Sequence, residues 1–240
     1  MTEYLDALTY PFRGLAYFVS RPKLWKFSAA AIAVHLLVFI LFISLYIACR
    51  EKLVALVTPE RFPSWLQTTS HWILSVLFLV AGLVLSLFLG NAFTLPFLDA
   101  MTERILTDLG ETLPSGGGFG RMIGRALFNQ VLKLMLFVAV QGALLVLYIT
   151  PLAVLHPVLS AFVTILFLGV DYLDYPLDAR RVSVPDRWAW SARHPGATLG
   201  YGTILFVILL VPLLGYLLLP LTVAGAALLA HRLDSAPKTG

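Results

Sequence analysis

The chain has 240 residues, 59% hydrophobic and 12% charged, with a mean hydropathy of +0.87 and a formal net charge of +4. A soluble domain carries about 25% charged residues, so this composition excludes an ordinary water-soluble fold and points to one integral membrane domain over residues 1–240. The basic residues are scattered at predicted helix ends and form no stripe, which argues against nucleic acid as a partner.

Residues 1–26 alternate apolar groups such as Tyr4, Leu8, Phe12, Leu15 and Val19 with polar ones. This pattern predicts a short amphipathic helix lying in the membrane interface. Arg13, Arg21, Lys23 and Lys26 then form a cationic entry to the first long apolar run.

That run, Phe27–Cys49, contains no formal charge. As a helix it reaches about 34 Å, enough for a hydrocarbon core of about 30 Å. Cys49 is the single cysteine, so neither an intrachain disulfide nor a cysteine metal cluster is available. The run is too long for a lipoprotein signal core, and it is read as a retained helix.

A polar connection with Pro59, Pro63 and Trp65 follows, and Trp65 and Trp72 suit a membrane–water interface. The second span starts at Trp72, is uncharged through Gly90 and extends to Pro96, which is expected to end or kink it. Leu98, Met101, Leu106 and Leu109 continue at helical spacing among charges. The segment 113–120 is glycine-rich, but it lacks the lysine and preceding strand of a phosphate loop.

The later apolar runs are shorter or broken by proline. Residues 121–148 read as a third long helix, long enough to span, or, as the resemblance given below implies, as one arm of a helical hairpin over 121–170 turning near Pro151–Pro157; residues 197–230 are expected to form a second hairpin turning near Pro212–Gly215. Short, interrupted apolar pieces in a membrane protein suggest half-helices lining a cavity. Lys133 in the first hairpin must face protein, water or an interface, and a snorkelling side chain is the expected reading. Thr222, Gly225 and the alanines beside them suit close helix packing. Basic residues fall on both sets of alternate connections, so orientation is weakly biased.

No catalytic signature emerges, and the chain is not expected to be an enzyme. Asp171, Asp174 and Asp178 lie together at one predicted helix end, whereas an aspartyl protease needs carboxylates on separate helices. Pro176 between them suggests a turn, with Arg180 and Arg181 as partners, so Asp174, Tyr175, Pro176 and Asp178 are read as a structural motif, as is Pro96. His35, His71, His156, His194 and His231 have no metal-ligand spacing, so neither a metal nor a cofactor is expected. The best-motivated site takes an anion: Lys23 and Lys26 precede the first long helix, whose free N–H groups and dipole favour negative charge, the alternative being that they anchor the helix to lipid phosphates.

Three stretches carry a family resemblance. Residues 91–104 are similar to the segment after the second long helix of CysZ-type bacterial sulfate permeases. Residues 171–182 resemble that family's Tyr-x-Asp-Tyr-Pro-x-Asp signature, and 219–227 its late Pro-x-x-Val-x-Gly-Ala segment. The wider superfamily includes the eukaryotic etoposide-induced membrane proteins.

The resemblance implies an all-α integral membrane fold: an N-terminal amphipathic helix, two long transmembrane helices and two half-penetrating hairpins. It also implies sulfate or a related oxyanion as substrate in the bacterial inner membrane. Homo-oligomers, including ones with antiparallel protomers, are further expectations. The family's sulfate-contacting segment reads Pro-Gly-Leu-Arg-Arg-Phe; here Lys23, Leu24, Trp25 and Lys26 stand between Pro22 and Phe27. Glycine's close backbone approach and arginine's fork are replaced by point charges. A non-transporting membrane scaffold with a decayed anion site is therefore the alternative.

Overall fold

The computed structural model describes the backbone of residues 2–57, 64–114 and 119–235, and the side chains of most of them. The glycine-rich segment 115–118 and the connection around Pro59 and Pro63 lie outside the described residues. The described chain is helical, with α1 Thr2–Ala7, α2 Tyr10–Val19, α3 Pro22–Val57, α4 Ser64–Asp108 and α5 Phe119–Leu145. Two 3-10 turns, Val146–Ile149 and Pro151–Leu155, lead to α6 His156–Ala179, α7 Val184–Arg193, α8 Pro195–Leu209 and α9 Pro212–Ser235. No strand occurs among the described residues. Pro22–Lys52, Phe128–Ile149 and Pro151–Ala179 are each long and apolar enough to cross a membrane, by length and composition.

The chain divides into two units, Ala30–Leu95 and the remainder. Within Ala30–Leu95, α3 and α4 run antiparallel. Gly90 faces the His35 ring, Gly82 faces Phe42, and the Tyr46 hydroxyl donates to the Ser75 carbonyl at 3.1 Å. Leu36, Leu37, Ile40, Leu41, Leu45 and Ile47 stand exposed on α3. In water such a surface would be unstable; in hydrocarbon it is the expected outer face.

In the other unit, α6, α8 and α9 build the core, and small residues set their spacing. A Cβ on Gly202 would lie 1.9 Å from the Ile165 carbonyl oxygen, and one on Gly169 2.0 Å from that of Thr198. These contacts bring α6 and α8 together antiparallel at backbone distance, as membrane helices do where lipid supplies no hydrophobic drive. The predicted small-residue packing of α9 is present: Val223, Ala224, Ala226 and Ala227 are fully buried.

The N-terminal segment is two short helices where one was expected. Gly14 of α2 lies against Gly225 of α9, and Gly200 of α8 against the Tyr4 carbonyl of α1. Asp6 pairs with Arg232, and the Glu3 carboxylate lies 3.1 Å from His194 Nδ1. The amphipathic pattern is real, but its buried stripe of Ala7, Tyr10, Pro11 and Gly14 seats on protein. Leu5, Phe12, Leu15 and Val19 remain exposed on the other side.

Three prolines ride inside helices. α4 does not stop at Pro96, α6 does not turn at Pro176, and α9 runs through Pro220. Each proline forfeits one N–H bond. All three rings are buried, so packing offsets that loss. The turn expected at Pro176 falls at Arg180 and Arg181, the latter at φ 58°. The second hairpin turns at Leu210–Val211, just before Pro212 opens α9.

Candidate functional site

The first site is the start of α3. Pro22 opens the helix, where its missing N–H costs nothing. The Leu24 amide is already used, donating to the Arg21 carbonyl at 2.9 Å, and the Leu24 side chain is 1% exposed in the core. Leu24 therefore anchors the turn. Trp25 donates its indole N–H to the Phe18 carbonyl at 3.1 Å while its ring stays exposed.

Lys23 and Lys26 are exposed, and Lys26 Nζ lies 5.0 Å from the Phe27 ring centre. Nearby, Asp108 is shared by Arg21 at 3.2 Å and Arg104 at 3.1 Å. None of the described ion pairs engages Lys23 or Lys26. The cationic turn thus keeps two ammonium groups at the positive end of a long helix dipole.

The second site is an ionic network where α5, α6 and α7 meet. α5 and α6 form an antiparallel hairpin: Gln141 donates to the Ser160 carbonyl at 3.2 Å and to Thr164 at 3.1 Å, and the Phe137 and Phe167 rings are 5.3 Å apart. Continuing that register brings Lys133 to Asp171, at 2.5 Å, and to Asp174, at 3.2 Å. Arg187 of α7 reaches Asp174 at 3.1 Å, pairs with Asp178, and donates to the Val182 carbonyl at 2.7 Å. Ser183 starts α7 by accepting from the Asp186 amide.

These contacts correct one sequence expectation and add to another. Lys133 does not snorkel: its side chain is only 17% exposed and is held by two carboxylates. Asp174 and Asp178 are both paired with Arg187, a partner the sequence reading did not name. Arg187 carried no motif in the sequence, and only the turn at Arg181, which folds α7 back on α6, brings it to the aspartates. Tyr175 and Pro176 pack into the core beside Leu173 and Leu177.

Arg180 makes a different junction. It grips both oxygens of Glu111, at 2.8 and 2.7 Å, and Asp234 at 2.6 Å. His231 reaches Glu111 at 2.6 Å and the Trp190 indole donates to Asp234 at 2.9 Å. The segment after α4 is thereby tied to α6 and α9. Burial alone would raise the Glu111 pKa, but the hydrogen bonds and charges of Arg180 and His231 outweigh it and hold the carboxyl below its ordinary value. Among the described residues no group of His, Cys, Asp and Glu is arranged to hold a metal.

The fold and these sites define an all-helical integral membrane protein, with a cationic turn at the head of a long helix and helical hairpins bound by ion pairs at one end. A family model described as Sulfate transporter CysZ/Etoposide-induced protein 2.4 matches residues 10–220, and the chain belongs to that family. It is 32% identical over 176 residues to the Sulfate transporter CysZ of Pectobacterium atrosepticum, covering 70% of this chain and 64% of that protein. The chain thus spans just under two thirds of that relative's length. It is 32% identical over 148 residues to the Sulfate transporter CysZ of a Pseudomonas fluorescens strain, covering 58% of each. The Sulfate transporter CysZ of Pseudomonas aeruginosa is 28% identical over 219 residues, with 88% of each chain covered.

Proposed function

We infer that this protein passes sulfate or a related small oxyanion across the bacterial inner membrane, supplying sulfur assimilation. The observation that carries the reading is the pair of ammonium groups on Lys23 and Lys26 at the first turn of α3, exposed and engaged by none of the described ion pairs. An oxyanion there would meet the positive end of the helix dipole, both lysines and the N–H groups around Trp25. Trp25, held by its bond to Phe18, offers a flat apolar wall beside them. With no nucleotide-binding motif in the sequence, movement is passive or ion-coupled.

The reading includes two hairpins that dip into the bilayer and return. α8 has 15 residues, so it is about 22 Å long and falls short of a hydrocarbon core of about 30 Å. Between Lys133 and Asp171, the first hairpin has no Asp, Glu, Lys or Arg at all. At its apex Ile149 is 86% and Val154 81% exposed. An apex emerging into water would be expected to be polar, so an apolar apex supports a turn within hydrocarbon. Homo-oligomers with antiparallel protomers complete the proposal, in keeping with the weak charge bias.

The test is uptake of labelled sulfate into proteoliposomes, with sulfate binding measured on detergent-purified protein. Saturable uptake is expected. Replacing either lysine by alanine should weaken binding by about 1–3 kcal/mol, the worth of a charge-assisted hydrogen bond. Absence of uptake by the intact chain would remove the transport reading. Equal binding by Lys23→Ala/Lys26→Ala would move the site elsewhere.

A further inference from the structure

A groove with a volume of about 170 Å³ opens between α5 and α6 and is capped by Trp188 of α7. Its lining is sorted by polarity along the hairpin axis. Gln130, Lys133 and Asp171 stand at the charged end, and Leu134, Phe137 and Phe167 follow toward the apex, with Thr164 beyond them already donating to the Ser160 carbonyl. Along both helices this direction leads from the ionic network into the stretch without formal charge. A free inorganic ion would gain nothing from the apolar end. A polar head with an attached hydrocarbon chain matches both ends at once.

The charged end narrows the head chemistry. A lysine ammonium has three N–H donors, and Lys133 places two on Asp171 and Asp174. Lys133 also lines the groove, together with Gln130 and Trp188. Asp171, which also lines the groove, keeps 30% of its side chain exposed. The groove therefore presents donors for a phosphate next to a carboxylate for a cation. An anionic head with no cation would meet Asp171 unfavourably. A quaternary ammonium has no N–H to give it.

We propose that the α5–α6 groove is a phospholipid site that selects a zwitterionic head carrying a primary ammonium, as in phosphatidylethanolamine. The phosphate accepts from Lys133 and Gln130, the ammonium donates to Asp171, and one acyl chain lies along Leu134, Phe137 and Phe167. Trp188, whose ring centre is 6.0 Å from that of Phe167, covers the junction of head and chain. The exposed outer faces of Leu134, Val138 and Phe162 place the groove's flank where lipid is the surrounding solvent. Nothing in this assignment depends on the anion reading of Lys23 and Lys26.

The test uses the full chain. Lipids retained by detergent-purified protein are quantified by mass spectrometry against the membranes of origin. Delipidated protein is then offered phosphatidylethanolamine, phosphatidylcholine or phosphatidylglycerol in mixed micelles. Phosphatidylethanolamine should be retained roughly tenfold over the other two, the ratio set by one charge-assisted hydrogen bond. Asp171→Asn should erase that preference, and Leu134→Trp, which fills the groove, should cut retention of all three. Equal retention of the three lipids by the unaltered protein overturns the proposal, and that measurement needs no variant to fold. Unchanged preference in Asp171→Asn overturns it too, as does competition by water-soluble phosphoethanolamine as strong as by the lipid.

Discussion

Arg187 Nη1 lies 3.1 and 3.2 Å from the two carboxylate oxygens of Asp174, across a turn that no local pattern announces. The guanidinium is 6% exposed and also serves Asp178 and the Val182 carbonyl. A cation so enclosed cannot be stranded cheaply. Arg187→Ala would leave Asp174 with Lys133 and would take the Arg187 pair away from Asp178. The expected cost is about 3–5 kcal/mol, read as a lower melting temperature in detergent. Arg187→Lys should recover only part of it, because one ammonium cannot serve three acceptors with the guanidinium's geometry.

Asp174→Asn should behave as a structural change. Folded yield should fall, while sulfate uptake per folded molecule stays near that of the intact chain. A variant with full yield and abolished uptake would instead make Asp174 part of the transport path.

Close helix contact at Gly202 leaves no room for a side chain. Gly202→Val would put atoms within 1.9 Å of the Ile165 carbonyl oxygen unless α6 and α8 separate. Backbone carbonyls do not yield as flexible side chains do, so overpacking should cost about 1–3 kcal/mol or more. Gly142→Val is the control, since no atom lies within 4 Å of its added Cβ. Melting curves of the two variants should differ clearly.

Acid should loosen the junction at Glu111. Its pKa in the folded chain lies below the ordinary value of 4.5, so the carboxylate stabilises the fold fully above that value. The contribution is lost as pH falls below 4.5 and through the depressed folded pKa. The difference in Tm between the intact chain and Glu111→Gln should therefore be greatest above pH 5 and shrink toward pH 3. A difference that grew in acid would contradict the assignment.

Hairpin depth can be read by labelling in a Cys49→Ser background. Ile149→Cys and Val154→Cys should resist a membrane-impermeant thiol reagent from either side, whereas Arg181→Cys should react from one side. Reaction of the apex positions from the face opposite Arg181 would show that the first hairpin crosses completely.

The sequence by itself determined the class of protein. Composition, uncharged run length and the stretch from Lys133 to Asp171 are one-dimensional quantities, and hydrocarbon imposes on them a one-dimensional rule: satisfy the backbone and carry few charges. The small residues around Gly225 were legible for the same reason, since close packing requires them wherever the partner lies. What only the tertiary structure decided was which groups meet. Pro96 read locally as an end or a kink and Pro176 as a turn, but a buried ring packed on neighbouring helices outweighs one lost hydrogen bond. Lys133 read as a snorkelling side chain until α6 set two carboxylates against it. Arg187 is the sharpest case. Its charge was visible in the sequence, but its role follows from the reversal at Arg181, and a long-range ion pair is selected by the geometry of two helices rather than by any spacing within one.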